Sequence, residues 1–218
     1  DVMLTEQYRM NEKIMNFSNK MFYKRDLLAD ESVKDNLLSF DEADNYLIKP
    51  IEFIDTAGCG FNEEQNPESL SISNKEEADL LLKHLGKVLE QYERKCCQPI
   101  SIGIIAPYKR QTEYLKLALE EQHYFKDSQN HYSVRTVDGF QGQERDIICI
   151  SLTRSNARGE IGFLSDTRRM NVALTRAKKK LLVFGDSATL ANHPFYKNFL
   201  EYIDEVGAYK SAWELRSD

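Results

Sequence analysis

Apolar residues along this chain follow two rhythms. Short, nearly continuous aliphatic runs at 51–55, 100–106, 134–137, 146–152 and 181–184 read as buried strands. Between them the apolar positions fall at helical spacing. Met10, Ile14, Phe17 and Met21 form one stripe within 6–21. Ala78, Leu81, Leu82, Leu85, Val88, Leu89 and Tyr92 form a longer one, and Asn74 with Glu77 supplies a capping-box-like start. Leu115, Ala118 and Leu119 mark a helix over 109–122, and Phe195, Phe199, Tyr202, Ile203 and Val206 another near 195–206. Met170, Ala173, Leu174 and Ala177 predict a basic amphipathic helix over 166–178. Strand alternating with helix predicts an α/β domain, a parallel sheet with helices on both faces. The stretch 26–72 reads as surface loops around 51–55, with a thin strand candidate at 36–40, and 211–218 reads as a mobile tail.

The 218 residues suffice for one large domain and its core, and 41% hydrophobic with 29% charged residues is ordinary for a globular chain. No apolar run reaches membrane-spanning length and no signal peptide is recognisable, so the expected setting is intracellular, cytoplasmic or nuclear. Cys59, Cys96, Cys97 and Cys149 show no metal-ligand spacing and are expected as free thiols. No metal ligand is assigned. The net charge of −6 argues at first against a nucleic-acid partner. Its distribution reverses that. Residues 26–79 hold 15 acidic and 3 basic side chains, a net of −12, so the remainder carries +6. Residues 168–180 alone contain six basic side chains and no acidic one, a local field suited to phosphate.

Candidate chemistry gathers beside the strands. Gly139 and Gly142 permit a tight turn and close backbone approach to a ligand, or a hairpin turn. Asp41 to Asp44 spells DEAD, yet no GxxxxGK[ST] precedes it anywhere in the chain, so it reads as a coincidental acidic loop.

Four stretches carry a resemblance. VRTVDGFQGQERDIICISLTRSN and GEIGFLSDTRRMNVALTRAKKKLLVFGD resemble two late motifs of superfamily 1 helicases, most closely the up-frameshift-like branch that includes the immunoglobulin-mu-binding helicase. LTEQYRMNEKIMNFSNKMFYKRDLL and IGIIAPYKRQ are similar to its earlier motifs, and the four occur in the family's order. The resemblance implies a RecA-like fold over 1–218, the second RecA-like half of an ATP-dependent helicase. With no initiator Met, the chain is expected to be a fragment of a longer protein.

It further implies that Tyr8 stacks on adenine, Arg9 reaches the terminal phosphate, Gln141 and Gly142 lie near it, and Glu144 bonds the ribose. Arg176 becomes the arginine finger. Pro107, Tyr108, Thr136, Arg154 and Asn156 become contacts to single-stranded DNA or RNA, traversed 5′ to 3′. ATP is the implied cofactor, with Mg²⁺ held by an upstream RecA-like domain. The chemistry suits these residues: an aromatic face meets a base and a guanidinium fork meets phosphate oxygens. Two other readings stay open, a nucleotide-binding module that has lost its motor, and an interaction domain using the acidic 26–79 face.

Overall fold

The computed structural model describes residues 5–216. Its centre is a sheet of β1 (Ile51–Asp55), β2 (Ser101–Ala106), β3 (His131–Thr136), β4 (Arg145–Ser151), β5 (Ala177–Gly185) and β6 (Tyr209–Ser211). They lie in the order β6-β1-β5-β4-β2-β3, each neighbouring pair parallel. The longer helices are α1 (Glu12–Phe22), α2 (Lys75–Lys95), α3 (Lys109–Glu121), α4 (Thr167–Leu174) and α5 (Pro194–Glu205).

The strands read as continuous apolar runs because both their faces are covered. Phe53, Ile148, Ile150, Leu181 and Val183 meet α1, α4 and α5 through Met15, Phe17, Met170 and Phe199. Ile54, Ile104, Cys149, Leu182 and Phe184 point the other way, onto Leu81, Leu85 and Val88 of α2 and Leu115 of α3. Alternate residues of one strand thus serve two core layers, and each such side chain contributes ~1.5–3 kcal/mol by leaving water.

One connection has no α-helix, only a 3₁₀ turn at Asp138–Phe140. Residues 137–144 pass from edge strand β3 to β4, which lies beyond β2. The ring of Phe140 packs on the sheet where Gly103 of β2 leaves room. A Cβ on Gly103 would lie inside contact distance of that ring and 2.7 Å from Ile148 Cδ1. Gly103→Ala is therefore expected to destabilise the fold. Overpacking costs ~1–3 kcal/mol, whereas the entropic gain from removing a glycine is only ~0.4–1 kcal/mol. Denaturant melts of the two proteins check this, and an unchanged midpoint would mean that the loop yields freely.

Several boundaries differ from those expected. The helix expected over 6–21 starts only at Glu12, because Gln7 Oε1 accepts from the amides of Arg9 (2.8 Å) and Met10 (2.7 Å) and Asn11 caps Lys13 N (2.9 Å). The helix expected over 166–178 stops at Leu174, where the Thr175 hydroxyl donates back to Asn171 O (2.9 Å) and Ala177 joins β4 as a strand. The strand expected over 181–184 accordingly begins at Ala177, and that expected over 134–137 spans His131–Thr136.

Residues 36–40 are irregular with a bend at Leu38, not a strand. The supposed mobile tail, 211–218, begins on Ser211, the last residue of β6, which pairs with β1, and continues as a helix, Ala212–Arg216, that buries Ala212 and Leu215. The last two residues of that tail, and Leu4 at the head of the first motif, lie outside the described residues. Among the described residues no helix is long and apolar enough to cross a membrane.

Candidate nucleotide site and nucleic-acid face

The QYR segment owes its shape to Gln7. Besides accepting the two amides, its Nε2 donates to Met10 O (2.9 Å), so one side chain folds the backbone around itself. Tyr8 is thereby turned outward, 65% exposed, with its hydroxyl on Glu6 (2.8 Å), and Arg9 is turned inward. Gln7 was missed as a functional residue. Its only signal was its place beside Tyr8.

Arg9 and Arg176 line one cavity of about 300 Å³ together with Tyr8, Tyr23, Leu27 and Thr175. It opens beside the amino ends of β4 and β5, where Arg145 pairs with Ala177. Arg9 Nε bonds Glu144 Oε2 (2.5 Å), and Lys178 Nζ sits 3.1 Å from Glu144 Oε1. Burial alone would raise the Glu144 pKa, but hydrogen bonds from Arg9 and Lys178 and their charges hold it below the usual carboxylate range.

Arg176 is half-buried. Its Nε donates to Val172 O (2.9 Å), and among the described residues it forms no ion pair. Burial, then the charge of Arg9, lowers its pKa. Two guanidiniums crowded in one cavity, with Glu144 paired to Arg9 and Glu6 bonded by the Tyr8 hydroxyl, are poised for an anion, which would relieve their repulsion. An exposed aromatic ring, two guanidiniums and a carboxylate fit the base, phosphates and ribose of a nucleotide.

Gln141 lies elsewhere. It is exposed and lines a separate cavity of about 280 Å³ with Asp138, Arg168 and Arg169. Arg169 is engaged by Asp138 (3.4 Å), by Asp166 (3.3 Å) and by the Phe163 ring, leaving Arg168 as that cavity's other cation. Gly142 turns the chain with φ +78°, a conformation that needs glycine.

The expected nucleic-acid residues cluster at the opposite, carboxyl ends of the strands. Pro107 is buried after β2, and half-buried Thr136 ends β3, its Oγ1 accepting from Gly139 N (3.4 Å). The Tyr108 hydroxyl accepts from Arg154 Nη1 (3.2 Å) and Phe163 N (3.3 Å). Arg154 is 5% exposed and donates from Nε to Glu63 (2.9 Å), and Asn156 Nδ2 donates to the same carboxylate (3.1 Å). Arg154 and Asn156 thus spend much of their donor capacity inside the protein, tying the loops after β1, β2 and β4 together. Glu63 had no signal in an acidic stretch.

Thr153, just before Arg154, has φ +71°. For a β-branched residue this is an outlier, costing ~1–3 kcal/mol.

The DEAD tetrapeptide belongs to neither region. Asp41 and buried Asp44 pair with Lys95 at the end of α2 (2.7 and 2.9 Å). Lys180, the last residue of the basic run, is fully buried. Its Nζ lies 2.8 Å from Glu52 and donates to Lys49 O (2.7 Å).

An all-parallel sheet with a guanidinium-lined cavity at one end and a joined cluster of loops at the other defines an α/β domain of the doubly covered, parallel-sheet class. The sequence matches the model of the AAA domain family over residues 1–188. It is 35% identical over 99% of its length to DNA-binding protein SMUBP-2 of Rattus norvegicus, of which it covers 21%. It is 40% identical over 92% to an uncharacterized ATP-dependent helicase of Methanocaldococcus jannaschii, of which it covers 29%. A regulator of nonsense transcripts 1 homolog from Neurospora crassa is 33% identical over 94% of this chain, which covers 18% of that protein. The chain belongs to the AAA domain family and is a superfamily 1 helicase domain of the up-frameshift-like kind, with a RecA-like fold. It spans between about a fifth and a third of the length of these curated relatives.

Proposed function

We propose that residues 1–218 are the second RecA-like half of an ATP-dependent helicase that moves along single-stranded DNA or RNA, 5′ to 3′, in the nucleus or cytoplasm. The observation that carries this reading is the cavity shared by Tyr8, Arg9 and Arg176, with Glu144 bridging Arg9 to Lys178. ATP supplies the transferred phosphoryl group and the energy of the cycle. Tyr8 offers its exposed ring to the base. Glu144, held ionised, accepts from the ribose hydroxyls once Arg9 releases one of its oxygens. Arg9 then turns to the terminal phosphate. Arg176 acts as the finger, a cation pre-placed where negative charge builds up in phosphoryl transfer.

The phosphate loop and Mg²⁺ carboxylates are assigned to an upstream RecA-like domain, since these 218 residues contain no GxxxxGK[ST]. Closure of the two domains around nucleotide, and reopening, would move the strand across the loops bearing Tyr108, Thr136 and Asn156. Backbone recognition of that kind is tolerant of base sequence.

The test is steady-state ATP hydrolysis with and without a single strand. Full-length protein is expected to turn over in a strand-stimulated manner, and the 218-residue chain alone to be inactive. Turnover by the isolated chain that depends on Arg176 would overturn the assignment of the other catalytic groups. Full-length protein that binds nucleotide without hydrolysing it would favour a motor-less module. Changing Asp41 to Asn and Glu42 to Gln together is expected to leave turnover near the parental rate, because Asp41 serves Lys95 on a distant face. A collapse of hydrolysis with nucleotide affinity retained would instead give the tetrapeptide a metal role.

A further inference from the structure

Glu77 takes no part in the nucleotide cavity, yet it is a wholly buried carboxyl in the first turn of α2. Its Oε1 accepts from the Ser151 hydroxyl (2.5 Å) and from the backbone amide of Thr153 (2.8 Å). Its Oε2 has no hydrogen-bond partner. The reciprocal half of the capping box is therefore not made. Asn74 still caps Glu77 N (3.1 Å), but the Asn74 amide is taken by Gln111 (2.8 Å) and Glu77 turns into the core. Asn74 Nδ2 reaches Thr153 O (3.3 Å), and Gln111 Nε2 reaches Ser151 Oγ (2.9 Å).

All of this machinery converges on the one β-branched residue of the described chain with positive φ. A left-handed threonine persists only where its surroundings over-determine it, and such strain gathers at working sites. Burying an acid there costs stability that an apolar side chain would not. Burial pushes the Glu77 pKa up to about 8, against the hydrogen bonds from Ser151 and Thr153 and with the help of the nearby Asp186 charge. At neutral pH the group is mainly neutral and still accepts through Oε1.

We infer that Glu77 is a positioning residue for the nucleic-acid face: with Asn74 it holds Thr153 in its left-handed turn, and so sets the 154–156 segment and the Tyr108 hydroxyl that Arg154 engages. The inference deepens the helicase reading and rests on it for its functional consequence. Glu77 does not touch the strand. It fixes the direction in which the chain leaves β4, and with it the loops joined through Arg154 and Glu63.

The experiment uses full-length protein and the variants Glu77→Ala, Glu77→Gln, Thr153→Gly and the double Glu77→Ala, Thr153→Gly. ATP turnover is followed against oligothymidylate and oligouridylate concentration, alongside melting and hydrogen exchange of peptides spanning 152–163. Glu77→Ala is expected to raise the half-saturating strand concentration ~10-fold, the worth of a buried hydrogen bond, while maximal turnover falls less. Glu77→Gln, which keeps an acceptor oxygen, should stay near parental. The double variant should recover most of the loss, because glycine adopts positive φ without strain.

A role confined to core packing predicts the reverse, with the second change adding to the first. A folded double variant as defective as Glu77→Ala overturns the inference, as does Glu77→Ala with parental strand dependence. If Glu77→Ala does not fold, Glu77→Gln and the double variant decide by the same criteria. A parent without strand-stimulated turnover sinks the helicase reading. Hydrogen exchange then still decides the turn itself: faster exchange at 152–163 in Glu77→Ala, absent in Glu77→Gln and reversed in the double variant, supports it, and unchanged exchange in Glu77→Ala overturns it.

Discussion

Arg176→Ala in the full-length protein is expected to lower ATP turnover by ~10³-fold or more, while nucleotide affinity changes far less. The reason is the placement of Arg176 at the end of α4, half-buried beside Arg9 and without a carboxylate of its own, so its charge is available to the reacting phosphate. Arg176→Lys should restore little. A point ammonium cannot span two phosphate oxygens, and it would also lose the Nε bond to Val172 O that aims the side chain.

Folding should survive both changes, since the residues of α4 that pack are Met170, Ala173 and Leu174. Lys179→Ala is the control, as the ion pair of Lys179 is a long one, to Asp146 at 3.8 Å. Hydrolysis, nucleotide affinity and a melting curve for each variant decide the matter. Near-parental hydrolysis by Arg176→Ala would remove the finger assignment.

The second large effect concerns stability alone. Glu52→Ala is expected to cost ~3–5 kcal/mol, because it strands two ammonium groups inside the sheet. For a domain of this size that is a fall in melting temperature on the order of 10 °C. Glu52 is fully buried, with Lys180 at 2.8 Å on one oxygen and Lys210 at 2.6 Å on the other. Burial opposes its ionisation, but Lys180, His84 and Lys210 outweigh that and hold its pKa far below the ordinary range. His84 lies 3.9 Å away, too far for a hydrogen bond, and its burial lowers its own pKa.

Both shifts have one sign. Each group binds fewer protons folded than unfolded, so the stability these two contribute is full above the unfolded His value near 6.5 and falls as pH drops below it, whereas the raised Glu77 carboxyl contributes with the opposite sign and weakens the fold as pH rises toward 8. Thermal melts across that range check the slope. Glu52→Leu combined with Lys180→Met should cost less than the sum of the two single changes, since neither then strands the other. Strict additivity would mean that the pair is not coupled.

The parallel sheet and its two helical layers were legible because strands covered on both faces are apolar along most of their length, as 102–106 and 147–150 are. The legibility failed where tertiary structure overrode local pattern. The strand before Leu181 hid in a run of three lysines, one of which, Lys180, is neutralised by the far-upstream Glu52. The helix through Ala177 was overdrawn because alanine suits both periods, and only pairing with Arg145 assigns it to a strand. Tyr8, Arg9, Glu144 and Arg176 were named from motif resemblance, and their convergence on one end of the sheet is a property of topology that no spacing in the sequence reveals. Lys178 and Glu63 were passed over because a lysine in a basic run, or a glutamate in an acidic one, reads as solvated until its partner is seen, and Glu77, read only as half of a capping box, turns into the core instead.

The strand order also governs how this chain can be born. β1 lies between β5 and β6, so both of its neighbours are synthesised after most of the domain. On the ribosome, Ile51, Phe53 and Ile54 emerge with no partner strand, and Glu52 emerges without either lysine. Long-range parallel pairing of this kind is slow and leaves apolar edges open to aggregation in the interval. The last three-residue strand is thus the latch of the whole sheet. A nascent chain released before Tyr209 would retain a bare edge and a half-neutralised carboxylate at its centre.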